Sequence, residues 1–205
     1  MLRTIAEFGY VVPIMAMMFM LLYMLGGEDI IFFRRKKYEI DPKMDENLNK
    51  AVTRFARVKG YKAFGRTTLE FGGATYTFNA IIITYFGTIA IKAEPVAGDI
   101  YGDMNDEEWV AIYNGSRKRF LNPVIAMNGT AKLFREIYRA ENVKKYGQTE
   151  VLAVFTNRDC NVAVARNASA CHVNDLATRL SEGKFITDNG VNIDDMAAAL
   201  EKYIK

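Results

Sequence analysis

Cysteine, proline, histidine and tryptophan are all scarce in this 205-residue chain, which has two, four, one and one of them. Two cysteines, Cys160 and Cys171, exclude a disulfide scaffold, and without CxxC spacing they read as lone thiols of a reducing compartment. A single histidine leaves a Ser-His-Asp or His-metal mechanism resting on one residue, and His172, at the end of the apparent strand ACHV, is read as structural or exposed rather than catalytic. No Gly-rich phosphate loop precedes a Lys-Ser/Thr pair, and HExxH and Gly-x-Ser-x-Gly are both missing. An excess of one charge is also missing from most of the chain. Five of the 27 basic residues and three of the 24 acidic ones precede Tyr38, leaving 22 against 21 from there onward. The body of the protein is electrically balanced, so the composition gives no sign of a globally basic nucleic-acid binder. What is present, 50% hydrophobic and 12% aromatic residues, excludes disorder and suffices for one globular domain plus an appendage.

The appendage comes first. Phe8 to Gly27 gives 20 consecutive uncharged residues, rich in Met, Leu, Ile and Val. At about 1.5 Å per residue they span about 30 Å, the hydrocarbon thickness of a bilayer. The run has no polar stripe, Pro13 falls in its first turns, and Tyr10 and Tyr23 sit near its ends as interfacial aromatics do. A cleaved signal peptide would have a shorter apolar region, of about 7–15 residues, and small residues where Leu25 stands. Residues 1–33 are therefore expected to be a retained transmembrane anchor and 34–42 a basic juxtamembrane linker. Arg3 alone flanks the anchor on one side and Arg34, Arg35, Lys36 and Lys37 flank it on the other. The positive-inside rule thus expects a single-pass protein with its N-terminus outside and residues 34–205 in the cytoplasm. The four cations also suit an anionic lipid surface, at roughly 1 kcal/mol each. On that side the sequons at Asn114, Asn128 and Asn167 stay unmodified.

Residues 43–205 read as one domain. Leu48, Val52, Phe55 and Ala56 predict a helix over 43–59, stopped by Gly60. Strands are predicted over Tyr61–Phe71, Thr75–Tyr85 and Thr88–Glu94, with a tight turn at Gly72-Gly73, and Ala80-Ile81-Ile82-Ile83 reads as a central strand covered on both faces. A further strand is predicted around Trp109–Tyr113, then one helix opened by Asn122-Pro123 and carrying Val124, Met127, Ala131, Phe134 and Tyr138 on one face. Strands at Val151–Phe155 and Val162–Ala165 and helices at 174–182 and 193–204, capped by Asn174 and Asn192, complete it. The order implies an α/β (α+β) fold, a mixed central sheet flanked by helices around one core.

One polar constellation stands out within the predicted hairpin. Asn79 lies on one arm, and Lys92 and Glu94 lie two residues apart on the other, pointing the same way in a strand otherwise read as buried. A salt-bridged strand end explains them. So does a phosphodiester-cutting site in which carboxylates hold Mg²⁺ and a lysine positions or activates water.

From about Leu48 to Leu180 the chain resembles the nuclease-related domain (NERD), a branch of the PD-(D/E)XK nuclease superfamily. The resemblance rests on the arm from Gly87 to Glu94, the segment Gly98-Asp-Ile-Tyr-Gly102, Trp109, Asn122-Pro123 at a helix start, and the strand VLAVFT at 151–156. It implies a restriction-endonuclease-like fold, often tethered to a membrane segment, and a Mg²⁺-dependent phosphodiesterase or endonuclease if the site is intact. The site is altered. Asn79 stands where the family has Asp, and Lys92-Ala93-Glu94 reverses the family's Glu-x-Lys. The family's glutamate on the first helix has only Asp45 and Glu46 nearby. An asparagine offers a metal its carbonyl but no charge, and one unit charge 4 Å from a divalent ion is worth on the order of 8 kcal/mol before desolvation. Catalysis is therefore expected to be lost or altered, with Glu94 and Asp99, or Asp103, as the carboxylates left to hold Mg²⁺.

Two classes of partner remain besides the lipid bilayer. Arg54, Arg57, Lys59, Lys62 and Arg66, and separately Arg117, Lys118 and Arg119, are candidate nucleic-acid contacts; otherwise they are solvated surface. Alternatively, the altered trio, the near-neutral domain and the Met-rich anchor suit a non-catalytic platform for a protein partner or for self-assembly into a homo-oligomer.

Overall fold

The computed structural model describes residues 43–165 and 167–205. The expected anchor at 1–33 and the linker at 34–42, with Arg34, Arg35, Lys36 and Lys37, lie outside them. Among the described residues no helix is long and apolar enough to cross a membrane.

Helix α1 (Met44–Lys59) begins the domain, with Asp45 and Glu46 in its first turn and Arg57 and Lys59 in its last, the arrangement the helix dipole favours. Leu48, Val52, Phe55 and Ala56 are buried as their spacing predicts, and Gly60 closes the helix. The central sheet takes strands from along the whole domain: β1 (Lys62–Phe64), β4 (Ala80–Thr84), β5 (Gly87–Glu94), β9 (Gln148–Phe155) and β11 (Ala170–His172), in the order β1-β4-β5-β9-β11. The first three strands are antiparallel, whereas β9 runs parallel to β5 and β11 parallel to β9.

Every residue of β4 is buried, because both faces of this strand are covered. On one face, Ile82, Ile89, Ile91 and Val154 pack with Leu48, Val52 and Phe55 of α1 and with Leu176 and Leu180 of α4 (Leu176–Leu180). On the other face, Ile81, Ile83 and Ala90 meet α3 (Thr130–Ala140) and α5 (Ile193–Glu201) through Phe134, Ile137, Tyr138, Met196 and Leu200. A mixed α/β domain with a central sheet between helices is thus the observed fold.

A second sheet is built from β6 (Gly98–Tyr101), β7 (Glu108–Tyr113), β8 (Ser116–Leu121) and β10 (Cys160–Val162), in the order β10-β6-β7-β8. It packs Ile100, Trp109 and Ala111 against Ala153 and Phe155 of β9. Trp109 stacks on Phe155 with 6.2 Å between ring centres, and its Nε1–H donates to the Asp103 carbonyl at 2.8 Å. The resemblance segment from Gly98 to Gly102 has a steric reason here. A Cβ on Gly98 would meet the Ile112 carbonyl, and one on Gly102 would meet the Trp109 ring. Asn122 is fully buried and opens α2 (Pro123–Ala126). Its Oδ1 accepts from the Val124 N–H at 3.0 Å and its Nδ2 donates to the Asp106 carbonyl at 2.8 Å.

Three predicted elements are divided. The expected strand Tyr61–Phe71 is β1 plus β2 (Thr67–Phe71), and the expected strand Thr75–Tyr85 is β3 (Ala74–Phe78) plus β4. In each, one half serves the central sheet and the other serves the separate β2–β3 hairpin, turned at Gly72-Gly73 as predicted. The expected single helix after Asn122 is divided into α2 and α3 at Asn128-Gly129. Asn192 caps α5 as expected, accepting from the N–H groups of Asp194 and Asp195 at 3.1 and 3.2 Å. Asn174 is not a cap. Its own N–H donates to His172 Nδ1 at 3.3 Å, at the start of a short 3₁₀ turn that leads into α4.

Candidate functional site

The end of the β4–β5 hairpin is polar because the ladder is interrupted there. Asn79 occupies the bend before β4, and its N–H donates to the Ile91 carbonyl at 3.2 Å. Its side chain takes over where the strand backbone stops, Oδ1 accepting from the Ala93 N–H at 3.0 Å. The carboxamide nitrogen donates to Asp45 Oδ1 on α1 at 3.4 Å, and Asp45 Oδ2 accepts from Arg66 Nη1 at 3.0 Å. Both ends of the Asn79 side chain are therefore engaged in structural bonds, and Asp45 is the acidic residue of the first helix that reaches the hairpin. Glu46 instead pairs with Lys50 one turn on, at 2.6 Å.

Lys92 and Glu94 are half-buried and share the face of Ala90, opposite the face that α1 covers. Burial raises the Glu94 carboxyl above the ordinary carboxylate value, and the Lys92 ammonium draws it part of the way back down. Among the described residues the two do not close to an ion pair. Around them the strand ends are clamped: the Thr156 N–H donates to the Glu94 carbonyl at 3.1 Å, and Asn157 Nδ2 to the Pro95 carbonyl at 3.4 Å.

Among the described residues no group of three or more His, Cys, Asp or Glu side chains is gathered to hold a metal. The Asp99 carboxylate instead accepts from Asn161 Nδ2 at 3.0 Å, tying β6 to β10. Asp103 caps its own loop, with Oδ1 accepting from the Asn105 N–H at 3.4 Å.

The cationic candidates separate into bound and available groups. Lys62 is paired with Asp194 at 3.1 Å, Arg66 with Asp45, and Arg119 with Glu108 at 3.7 Å. Arg54, Arg57 and Lys59 on α1, and Arg117 and Lys118 on β8, are exposed and have no ion-pair partner among the described residues. Arg117, Lys118 and Arg119 occupy the outermost strand of the second sheet, where charge also guards an open edge against pairing with another chain.

His172 is structural. Its Nδ1 accepts from the Asn174 N–H, so its Nε2 carries the proton and donates to the Asn157 carbonyl at 3.0 Å. Burial pushes the thiols of Cys160 and Cys171 up to about 12, which leaves both as inert thiols.

Sequence reasoning missed Arg158. It lies three residues past the end of β9 and lines a groove of about 780 Å³ together with Arg54, Lys59 and Ala177 of α4. Its position just past the carboxyl end of a parallel strand is the signal that would have found it. Compared with family models, curated proteins and solved structures, the chain matches none of them.

Proposed function

We propose that this chain is a membrane-anchored, nuclease-fold domain that binds nucleic acid and does not cleave it. The observation that carries the reading is at Asn79. The position at which the NERD resemblance implies an acidic metal ligand holds a carboxamide engaged with Ala93 and Asp45. Lys92 and Glu94, in reversed order, occupy the far face of the sheet. Supporting the fold side of the reading, the antiparallel β4–β5 hairpin beside these residues is followed, after β6–β8 and α2, by α3 and then by β9, parallel to β5.

Residues 8–27 supply the anchor in this reading, Arg34–Lys37 the contact with anionic lipid, and residues 43–205 a domain on the cytoplasmic side. Arg54, Arg57 and Lys59, carried on one helix without ion-pair partners among the described residues, supply contacts to phosphate. Binding then rests on charge rather than on base reading, and its affinity falls with salt by about 0.7 log units per log unit for each single-strand phosphate contact.

The test is a titration of fluorescent single-stranded DNA with the full chain in detergent, with EDTA or with Mg²⁺. The reading expects binding in both, intact DNA in both, and a salt slope that becomes shallower in Arg57→Ala. Mg²⁺-dependent cleavage removed by Glu94→Ala overturns it. Absence of any DNA binding, with a defined oligomer in detergent, favours the protein-interaction platform instead.

A further inference from the structure

The groove beside α1 adds Arg158 and apolar surface to two cations of the DNA reading, Arg54 and Lys59. It opens past the carboxyl ends of β9 and β11, between the exposed side of α1 and α4. In open sheets with parallel strands, this is where ligands bind. Its volume of about 780 Å³ falls within the roughly 300–1,000 Å³ of small-molecule sites.

Three cations face it, Arg54 and Lys59 from α1 and Arg158 from the loop after β9, and no acidic residue lines it. None of the three has an ion-pair partner among the described residues. His172, also at the wall, has both ring nitrogens committed to backbone groups and contributes shape rather than charge. The rest of the lining combines the polar side chains of Asn47, Thr156, Asn174 and Ser181 with apolar ones that include Phe55, Val173 and Val58, the last 75% exposed.

We infer that this groove binds a soluble phosphomonoester, with the dianionic phosphate held by Arg54, Lys59 and Arg158 and an attached apolar or flat body lying along Phe55, Val58 and Val173. Two guanidinium forks and an ammonium match a dianion with several acceptor oxygens better than they match a single carboxylate. The apolar walls have no counterpart in a site for the bare ion. The inference shares Arg54 and Lys59 with the nucleic-acid reading and differs from it in Arg158 and the apolar walls, which that reading does not use.

The test is calorimetric titration of the full chain in detergent with adenosine 5′-monophosphate, inorganic phosphate and adenosine. Adenosine monophosphate should bind most tightly, phosphate more weakly and adenosine not at all. Arg158→Ala should weaken the nucleotide by about tenfold or more, and Arg158→Lys by less, since it keeps the charge and loses the fork. Ala177→Trp, which fills the groove from an exposed position on α4, should abolish binding with an unchanged unliganded melting temperature. Failure of both phosphate and the nucleotide to bind overturns the inference, as does unchanged nucleotide affinity in Arg158→Ala. An unphosphorylated oligonucleotide that displaces the nucleotide as well as a 5′-phosphorylated one also overturns it, by making the groove a stretch of polynucleotide track.

Discussion

Asn79 decides most at the residue scale. Its Oδ1 satisfies the Ala93 N–H in place of a backbone carbonyl, and its Nδ2 ties the hairpin to α1 through Asp45. Asn79→Ala leaves the Ala93 N–H without its partner and should lower stability by about 1–3 kcal/mol, read as a shift of the urea midpoint at constant slope. Glu94 makes a pH-dependent prediction. Its carboxyl is raised above the model-peptide value of 4.5 in the folded protein, chiefly by burial. The folded state therefore holds this proton more tightly than the unfolded chain does. The stability Glu94 contributes is fully present below about pH 4.5 and is lost as pH rises through the raised value. Glu94→Gln does not titrate, so denaturant melts should show it gaining on the wild type from acid toward neutral pH. The sequence made this trio visible because ionisable residues stood in an apolar strand. It did not show that Asn79 would turn toward α1, since that follows from the break in the ladder, which strand alternation does not predict.

At the scale of elements, the sequence disclosed the apolar cores of strands and helices better than it disclosed their partners. The run at Ala80–Ile83 is buried on both faces, and α1 buries the residues its spacing selects. The divisions at Gly65 and Asn79 were not legible, because both flanking segments have strand composition and only their pairing in different sheets separates them. The edge strand β8 was hidden for the opposite reason: Ser116-Arg-Lys-Arg has the composition of solvated surface. Replacing Arg117 and Lys118 with threonine should leave the melting temperature almost unchanged and increase concentration-dependent aggregation, followed by light scattering. If the pair contacts DNA instead, the same variant weakens binding without aggregating. The junction of β6 and β7 is a packing prediction. In Gly102→Ala the new methyl meets the Trp109 ring and should cost about 1–3 kcal/mol, with a change in the emission of the chain's single tryptophan.

Considered as a whole, the sequence joins an apolar leading segment to a balanced domain, and in the described α/β domain Arg54, Lys59 and Arg158 line one groove. The mixed sheet flanked by helices was legible from the order of the elements. The groove was not, because it draws on α1, the β9–β10 loop and α4, more than 100 residues apart in the sequence. The candidate site was legible as a set of residues and not as a geometry: Asn79 turns toward α1, whereas Lys92 and Glu94 share the other face of the sheet.

The most direct test follows a labelled single-stranded DNA by anisotropy and then by denaturing gel, in the same tubes, with the full chain in Mg²⁺. A rise in anisotropy that added salt reverses, with DNA of unchanged length, is the predicted result. Shortened DNA in Mg²⁺, restored to full length by EDTA or by Glu94→Ala, would contradict it.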